Sequence, residues 1–242
     1  MIKRVRKKIS KLWASLALMS VEVVITVALL ITAMLVFAYL VKRVFILQNY
    51  ELDQKAFNFM ARYVSDVNNN VMMLITYLGT HYFLIPANLI LIGYFLFVKP
   101  HKWYSIKVPS IAISSLLLMF VLKLFFSRPR PLPPLLQEAK GMSFPSGHAL
   151  MSVTFYGLIA YMIWFTPASK LFKFTMYFIL FALVVMIGVS RIYLRVHYTS
   201  DVIAGFCMGF LWLVVSILVS RKIETYGKKK VDPMVEETSS AS

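Results

Sequence analysis

The chain has 242 residues, of which 60% are hydrophobic and only 15% charged, and its formal net charge is +16. A soluble domain is about half apolar and about a quarter charged. The composition therefore excludes a soluble globular protein, and with it the nucleic-acid partner that so basic a soluble chain would suggest.

The length allows one domain or two small ones. The chain opens with a basic arm, Lys3, Arg4, Arg6, Lys7, Lys8 and Lys11. The apolar stretch that follows is far longer than a signal-peptide core and has no clear small-residue cleavage site, so an uncleaved anchor is expected. A bilayer crossing needs roughly 20 apolar residues. Six such segments are expected, at 23–41, 82–98, 105–126, 149–165, 174–189 and 202–220. The second and fifth are short, which leaves room for their ends to extend outward. Glu22 stands at the edge of the first span. A charge in a membrane segment is a functional candidate by default, but the edge position favours an interfacial residue.

The connection after the first span, 42–80, is long. Within it Ala56, Phe57, Met60, Tyr63 and Val64 recur at helical spacing, opposite Lys55, Asn58 and Arg62. This is the pattern of an amphipathic helix lying in the interface, which either covers a site entrance or simply packs. A second apolar run, 71–78, is ended by Gly79. The single cysteine, Cys207, lies in the sixth span and reads as a small buried hydrophobe. It supports neither an internal disulfide nor a cysteine-rich zinc site. Residues 227–242 are polar and Ser-rich without periodicity, and a disordered tail is expected there. The expected fold is all-α: a six-transmembrane-helix bundle over residues 1–226, with an interfacial amphipathic helix in the first outer loop.

Orientation follows from the distribution of Lys and Arg. With six spans both termini share a side. Sixteen of the 26 basic residues fall there: the N-terminal arm, then Lys99, Lys102, Lys107, Lys170 and Lys173, then Arg221, Lys222 and Lys228 to Lys230. The termini are therefore expected in the cytoplasm of a cell (inner) membrane protein, with the three longer loops outside.

Charge is scarce, so its clustering is informative. The second outer loop reads Lys123-Leu-Phe-Phe-Ser-Arg128-Pro-Arg130-Pro131 and ends in Pro145-Ser146-Gly147-His148; the third reads Ser190-Arg191-Ile-Tyr-Leu-Arg195-Val-His197-Tyr-Thr-Ser-Asp201. All three blocks fall at the outer ends of spans three to six and can converge. Phosphate cleavage needs cations around the phosphoryl oxygens through the transition state. Lys123, Arg130 and Arg191 supply them, arginine as a fork and lysine as a point charge. Ser146-Gly147-His148 leads into the fourth span, which offers free N–H groups and a positive dipole end to an anion. Ser146 adds a hydroxyl, and Gly147 permits close approach. His197 and Asp201 are four apart and share a face if helical. A carboxylate on one ring nitrogen fixes the tautomer and leaves the other nitrogen free to attack. His148 can then protonate the leaving oxygen. No cluster of carboxylates for magnesium or of His and Cys for zinc stands out, so neither metal nor cofactor is expected.

Each piece alone has an ordinary explanation. A Pro-Ser-Gly turn is a common helix start, and basic residues at membrane edges snorkel to headgroups. Together, Lys-x6-Arg-Pro, Pro-Ser-Gly-His and Ser-Arg-x5-His-x3-Asp resemble the three-part signature of the type 2 phosphatidic acid phosphatase superfamily. Every signature residue is present, and the six-span layout extends the resemblance to nearly the whole chain. The resemblance implies a phosphohistidine on His197, with Asp201 as orienting partner and His148 as acid. It implies Lys123, Arg130, Ser146, Gly147 and Arg191 as phosphate ligands. The run Arg128-Pro-Arg130-Pro holds two Arg-Pro pairs, and the family spacing selects Arg130. Arg128 and Arg195 are left as unassigned cations near the rim, the latter for headgroups or a second phosphate.

The expected activity is metal-independent removal of phosphate from a lipid phosphate or pyrophosphate at the outer face. Undecaprenyl pyrophosphate or phosphatidylglycerophosphate is favoured. A lipid A phosphatase, or a phosphotransferase using the same intermediate, is the enzymatic alternative. Soluble vanadate-holding haloperoxidases share the motifs, but six spans argue against them. A transporter or scaffold for anionic lipid would need the cations, but not two histidines and Asp201 in this order.

Overall fold

The computed structural model describes residues 21–131, 133–136 and 139–231. The basic N-terminal arm, the side chain of Glu22 and positions 232–242 of the polar tail lie outside the described residues. Among the described residues all regular structure is helical. In chain order the helices are α1 (Val21–Val41), α2 (Glu51–Ala61), α3 (Asp66–Tyr77), α4 (His81–Gly93), α5 (Lys102–Phe126), α6 (Gly147–Trp164), α7 (Lys170–Tyr193) and α8 (Thr199–Tyr226). Short π-helical turns extend α1 over Lys42–Ile46, α4 over Tyr94–Val98 and α8 over Gly227–Val231.

Six helices, α1 and α4 to α8, are long and apolar enough to cross a membrane. The fifth span grows at both ends, to Lys170–Tyr193; Ser169 sets its start by accepting the Phe172 N–H. The last span continues past Tyr226, where the polar composition suggested that a tail begins. Gly227 lies against the Trp103 ring so closely that a Cβ would meet it at 2.3 Å, and Lys228 pairs with Glu224 one turn back at 2.7 Å. Large apolar side chains such as Leu124, Phe125, Phe174 and Phe181 are exposed on the bundle's outside, as expected of a surface that meets lipid tails.

α6 is the axis of the bundle, packing against α5, α7 and α8. It is the most enclosed span, with 44% of its residues buried against 6% in the spans of α1 and α4. Its contact with α8 is close because α8 offers glycine. A Cβ on Gly205 would lie 2.6 Å from the Ser146 carbonyl, and one on Gly209 would lie 2.7 Å from that of Leu150. Two glycines one turn apart let membrane helices meet backbone to backbone. In this molecule they seat the start of α6 against the start of α8.

The amphipathic stretch of the first long loop is α2. Its apolar residues Ala56, Phe57 and Met60 pack onto Ile192 and Val202, which flank the α7–α8 turn. α3, capped by Ser65 accepting the Asn68 N–H, packs Met72 and Met73 onto Tyr193, Leu194 and Val196 of the same turn. The two loop helices thus cover the end of the bundle where the three charged motifs meet.

Candidate active site

Each motif is held by a distinct local device. α5 ends at Ser127, in a left-handed conformation (φ 46°) with its N–H on the Lys123 carbonyl. This places Lys123 in the last helical turn, and Arg128 and Arg130 follow outside the helix, each before a proline that disfavours helical backbone. The second motif is pinned from behind by Phe144, whose ring lies 4.8 Å from Phe126, 5.3 Å from Phe45 and 6.0 Å from Phe37. The third motif turns through Arg195 in the left-handed region (φ 53°). There the Arg191 carbonyl accepts the N–H groups of both Val196 and His197, at 3.2 and 3.3 Å.

His197 and Asp201 meet, but not as neighbours on a helix face. His197 precedes α8, and Asp201 is in its first turn, where Oδ2 accepts the Tyr198 N–H at 3.0 Å. That capping bond bends the chain so that His197 Nδ1 lies 3.5 Å from Asp201 Oδ2. Ser143 enters the same gap. Its hydroxyl donates to Asp201 Oδ2 and lies 3.3 Å from His197 Nδ1. On the ring's other side, Nε2 is 3.3 Å from Arg130 Nη1. A guanidinium only donates, so this contact requires a lone pair on Nε2 and places the ring proton on Nδ1, toward the two acceptors. His197 is 1% exposed. Burial, then the charges of Arg191, Arg130 and Lys123, hold its pKa well below the usual histidine value of 6.5. The ring is therefore neutral near pH 7, with its free nitrogen aimed at the cations.

Those cations are positioned by carbonyls and one hydroxyl. Arg130 donates through Nε to the Gly141 carbonyl at 3.0 Å and through Nη1 to that of Val196 at 2.8 Å. Lys123 Nζ donates to the Met142 carbonyl at 2.5 Å. Arg191 Nη1 donates to Thr76 Oγ1 on α3 at 2.7 Å. Six buried side-chain polar atoms find no partner among the described residues, and three of them belong to residues of the motifs: Arg191 Nε, His148 Nε2 and Ser146 Oγ. Buried polar groups are seldom left unpaired, and Arg191 and His148 line the same cavity, where an anion would supply acceptors.

Lys123, Arg130, Gly147, His148, Arg191 and His197 line one end of a cavity of about 610 Å³. The rest of its wall is mainly apolar and comes mostly from α4 and α5, including Leu84, Ile85, Leu89, Ile113 and Leu116. His81 and Asn88 are the further polar residues on that wall. Ser146 lies just behind Gly147, with its hydroxyl buried.

Two residues differ from the sequence reading. Arg128 is not at the rim: it is 5% exposed and ion-paired to Asp201 at 2.5 Å and to Asp53 at 3.0 Å. It stacks 3.9 Å over the Tyr198 ring. Two buried carboxylates hold Arg128 inside the protein, while Arg130 lines the cavity. Arg195 is half-buried and is not among the residues lining the cavity. Asp53, Thr76 and Ser143 were not foreseen, because no spacing rule links them to the motifs. Among the described residues no group of three or more His, Cys, Asp or Glu side chains could hold a metal ion.

Fold and site together define a polytopic membrane protein with a largely apolar cavity lined in part by cations. Comparison with known proteins agrees. The PAP2 superfamily model matches residues 105–224. Phosphatidylglycerophosphatase B of Bacillus subtilis (strain 168) is 34% identical over 163 residues, which are 66% of this chain and 79% of the relative. Among solved structures, a transmembrane PAP2-type phosphatidylglycerolphosphate phosphatase from Bacillus subtilis superposes with a TM-score of 0.70 at 30% identity, covering 82% of this chain and 96% of that one. LpxE of Aquifex aeolicus superposes at 0.55 and 27% identity, covering 70% and 96%. The chain belongs to the PAP2 superfamily, and the enzyme it forms is a membrane lipid phosphatase.

Proposed function

We propose that the enzyme removes the terminal phosphate of phosphatidylglycerophosphate, or of a lipid phosphate of that shape, through a phosphohistidine on His197. The observation that carries the mechanism is the polarity of the His197 ring: Nδ1 toward Asp201 and Ser143, Nε2 toward Arg130 and the cavity. Nε2 attacks phosphorus and forms the N–P bond as the ester P–O bond breaks. His148 delivers its proton to the leaving oxygen, and Asp201 stabilises the charge that develops on the ring. Neutral His148 then takes a proton from water, the hydroxide attacks phosphorus, and phosphate leaves with Nε2 restored. Lys123, Arg130, Arg191, the Ser146 hydroxyl and the Gly147 N–H hold the phosphoryl oxygens. With cations supplied by side chains, and Asp201 engaged by Arg128, Ser143 and Tyr198, this chemistry runs without a metal.

The apolar wall of α4 and α5 suits acyl chains lying beside the bound phosphate. The relative named phosphatidylglycerophosphatase B favours the glycerophosphate substrate over undecaprenyl pyrophosphate. The excess of Lys and Arg at the opposite end favours termini in the cytoplasm and the site outside. Phosphate release from a panel of lipid phosphates in detergent with EDTA tests this reading. Phosphatidylglycerophosphate is expected to be hydrolysed fastest, with EDTA without effect. Loss of turnover in EDTA, or a clear preference for a pyrophosphate or lipid A, would count against it. Transfer to an added alcohol in place of water would reassign the enzyme as a phosphotransferase.

A further inference from the structure

The family model begins at residue 105, yet a buried acid well before it reaches the site. Asp53, in the first turn of α2, is 2% exposed. Its Oδ1 accepts the Ser200 N–H at 2.8 Å. Its Oδ2 accepts the Ser200 hydroxyl at 2.8 Å and Arg128 Nη2 at 3.0 Å. Arg128 Nη1 in turn donates to Asp201 Oδ1 at 2.5 Å and to Ser200 Oγ at 2.8 Å. One guanidinium is thus shared by two carboxylates, and each carboxylate also has hydrogen bonds from its own surroundings.

This arrangement has an electrostatic consequence. Arg128 alone would neutralise Asp201, and a neutral pair cannot offset the positive charge that forms on His197 during attack. A second carboxylate on the far side of Arg128 restores one net negative charge to the group. We propose that Asp53 is a positioning residue for the reaction: it keeps Arg128 shared, so that Asp201 retains negative charge directed at His197. The proposal rests on His197 as nucleophile. It also gives α2 a task beyond packing, since the loop helix carries the counter-charge.

His197 faces Asp201 from α8, Arg191 from α7, His148 from α6, Lys123 from α5, and Arg130 and Ser143 from the connection between α5 and α6. Asp53→Asn leaves these groups in place and removes one negative charge behind them. The expected result is a kcat lower by about 10- to 100-fold, with KM within about threefold. The acid limb of the pH profile should move to lower pH, because a less negative surrounding weakens protonation of His197. Asp53→Glu should recover part of kcat. Ser200→Ala, which removes only a hydroxyl and turns Arg128 more fully onto Asp201, should shift the limb in the same direction with a smaller loss, and it serves where Asp53→Asn fails to fold.

Rapid quench into alkaline detergent, where an N–P bond survives, with a lipid phosphate radiolabelled on phosphorus separates the two readings. No acid-labile phosphoenzyme in the unmodified enzyme would sink the His197 mechanism itself. A phosphoenzyme that forms equally fast in Asp53→Asn and Ser200→Ala, with the acid limb unmoved, would overturn the role of Asp53 alone. So would a loss of activity that only tracks the folded fraction.

Discussion

The two ends of the bundle both bury charge, and they do so differently. Away from the site, Lys107 of α5 is 6% exposed and pairs with Glu224 of α8 at 2.5 Å, while Glu224 also accepts Lys228 at 2.7 Å. This cluster is closed: its charges face one another and join two spans. At the site end Arg128 is closed in the same way between Asp53 and Asp201. Among the other motif residues, however, Arg191 Nε, His148 Nε2 and Ser146 Oγ are buried without protein partners among the described residues. A closed buried pair is a clamp whose net value is modest and whose breakage is expensive. Buried donors left open at a cavity are equipment for a ligand. In this molecule the end whose buried polar groups are incompletely paired, not the closed one, is the end at which the motif residues line a cavity.

The largest effect that this contrast predicts is at His197, which is open toward the cavity. His197→Ala should lower kcat by on the order of 10⁴-fold or more, as removal of a nucleophile does elsewhere. The thermal midpoint should change little, because the ring closes no ion pair that holds two elements together. Retained phosphate release from a lipid phosphate would refute the assignment.

The two neighbouring arginines give the next largest effects, and of opposite kinds. Arg130→Ala should cost about 10²- to 10³-fold in kcat/KM, as loss of one donor to a transition-state oxyanion does, with stability nearly kept. Arg128→Ala leaves two buried carboxylates unpaired and should cost about 3–5 kcal/mol of stability, measured by denaturation in detergent. The reverse pattern would show that the Arg-Pro register has been chosen wrongly.

The arginines also show what the sequence reveals and what it conceals. Six spans were visible because lipid imposes a strong constraint on composition. The convergence of Lys123, Arg130, His148, Arg191 and His197 on one cavity was visible because their motifs all sit at span ends on one side. The direction in which Arg128 points was not, since it depends on a carboxylate 75 residues earlier. Asp53 and Thr76 belong to loop helices whose amphipathic pattern shows only that they pack. Which polar side chain reaches Arg128 or Arg191 is a matter of tertiary placement. The spacing of His197 and Asp201 suggested the right pair for the wrong reason: a capping bond joins them, not a helix face. Ser143 had no signal, because a serine two residues before a proline fits many turns.

The closed cluster at the far end should respond in stability alone. Glu224→Gln should cost roughly 1–3 kcal/mol, discounted from a fully buried pair because the Glu224 side chain is 17% exposed. Its kcat should stay that of the unmodified enzyme. Replacing both partners, Lys107→Met with Glu224→Leu, should recover most of the loss, since an apolar pair of similar size removes the desolvation cost. A fall in kcat in either variant would mean that this cluster communicates with the site and is more than a clamp.

The smallest effect tests the open end through pH. Burial and three neighbouring cations hold the His197 pKa below 6.5, and only the neutral ring can attack. As pH falls, activity is kept until the lowered pKa is reached and is then lost. The substrate's own phosphate ionises near pH 6, and His148 must carry a proton to act as the acid, so both steps must be measured separately and divided out of kcat/KM. The corrected profile should then change by less than about twofold between pH 7.5 and 6.5. Arg130→Lys, which keeps a charge but loses the fork on Nε2 and the Val196 carbonyl, should leave that plateau in place while lowering its height. A corrected midpoint at or above 6.5 would mean that Asp201 outweighs the cations and that the ring rests protonated, leaving Nε2 no lone pair with which to attack.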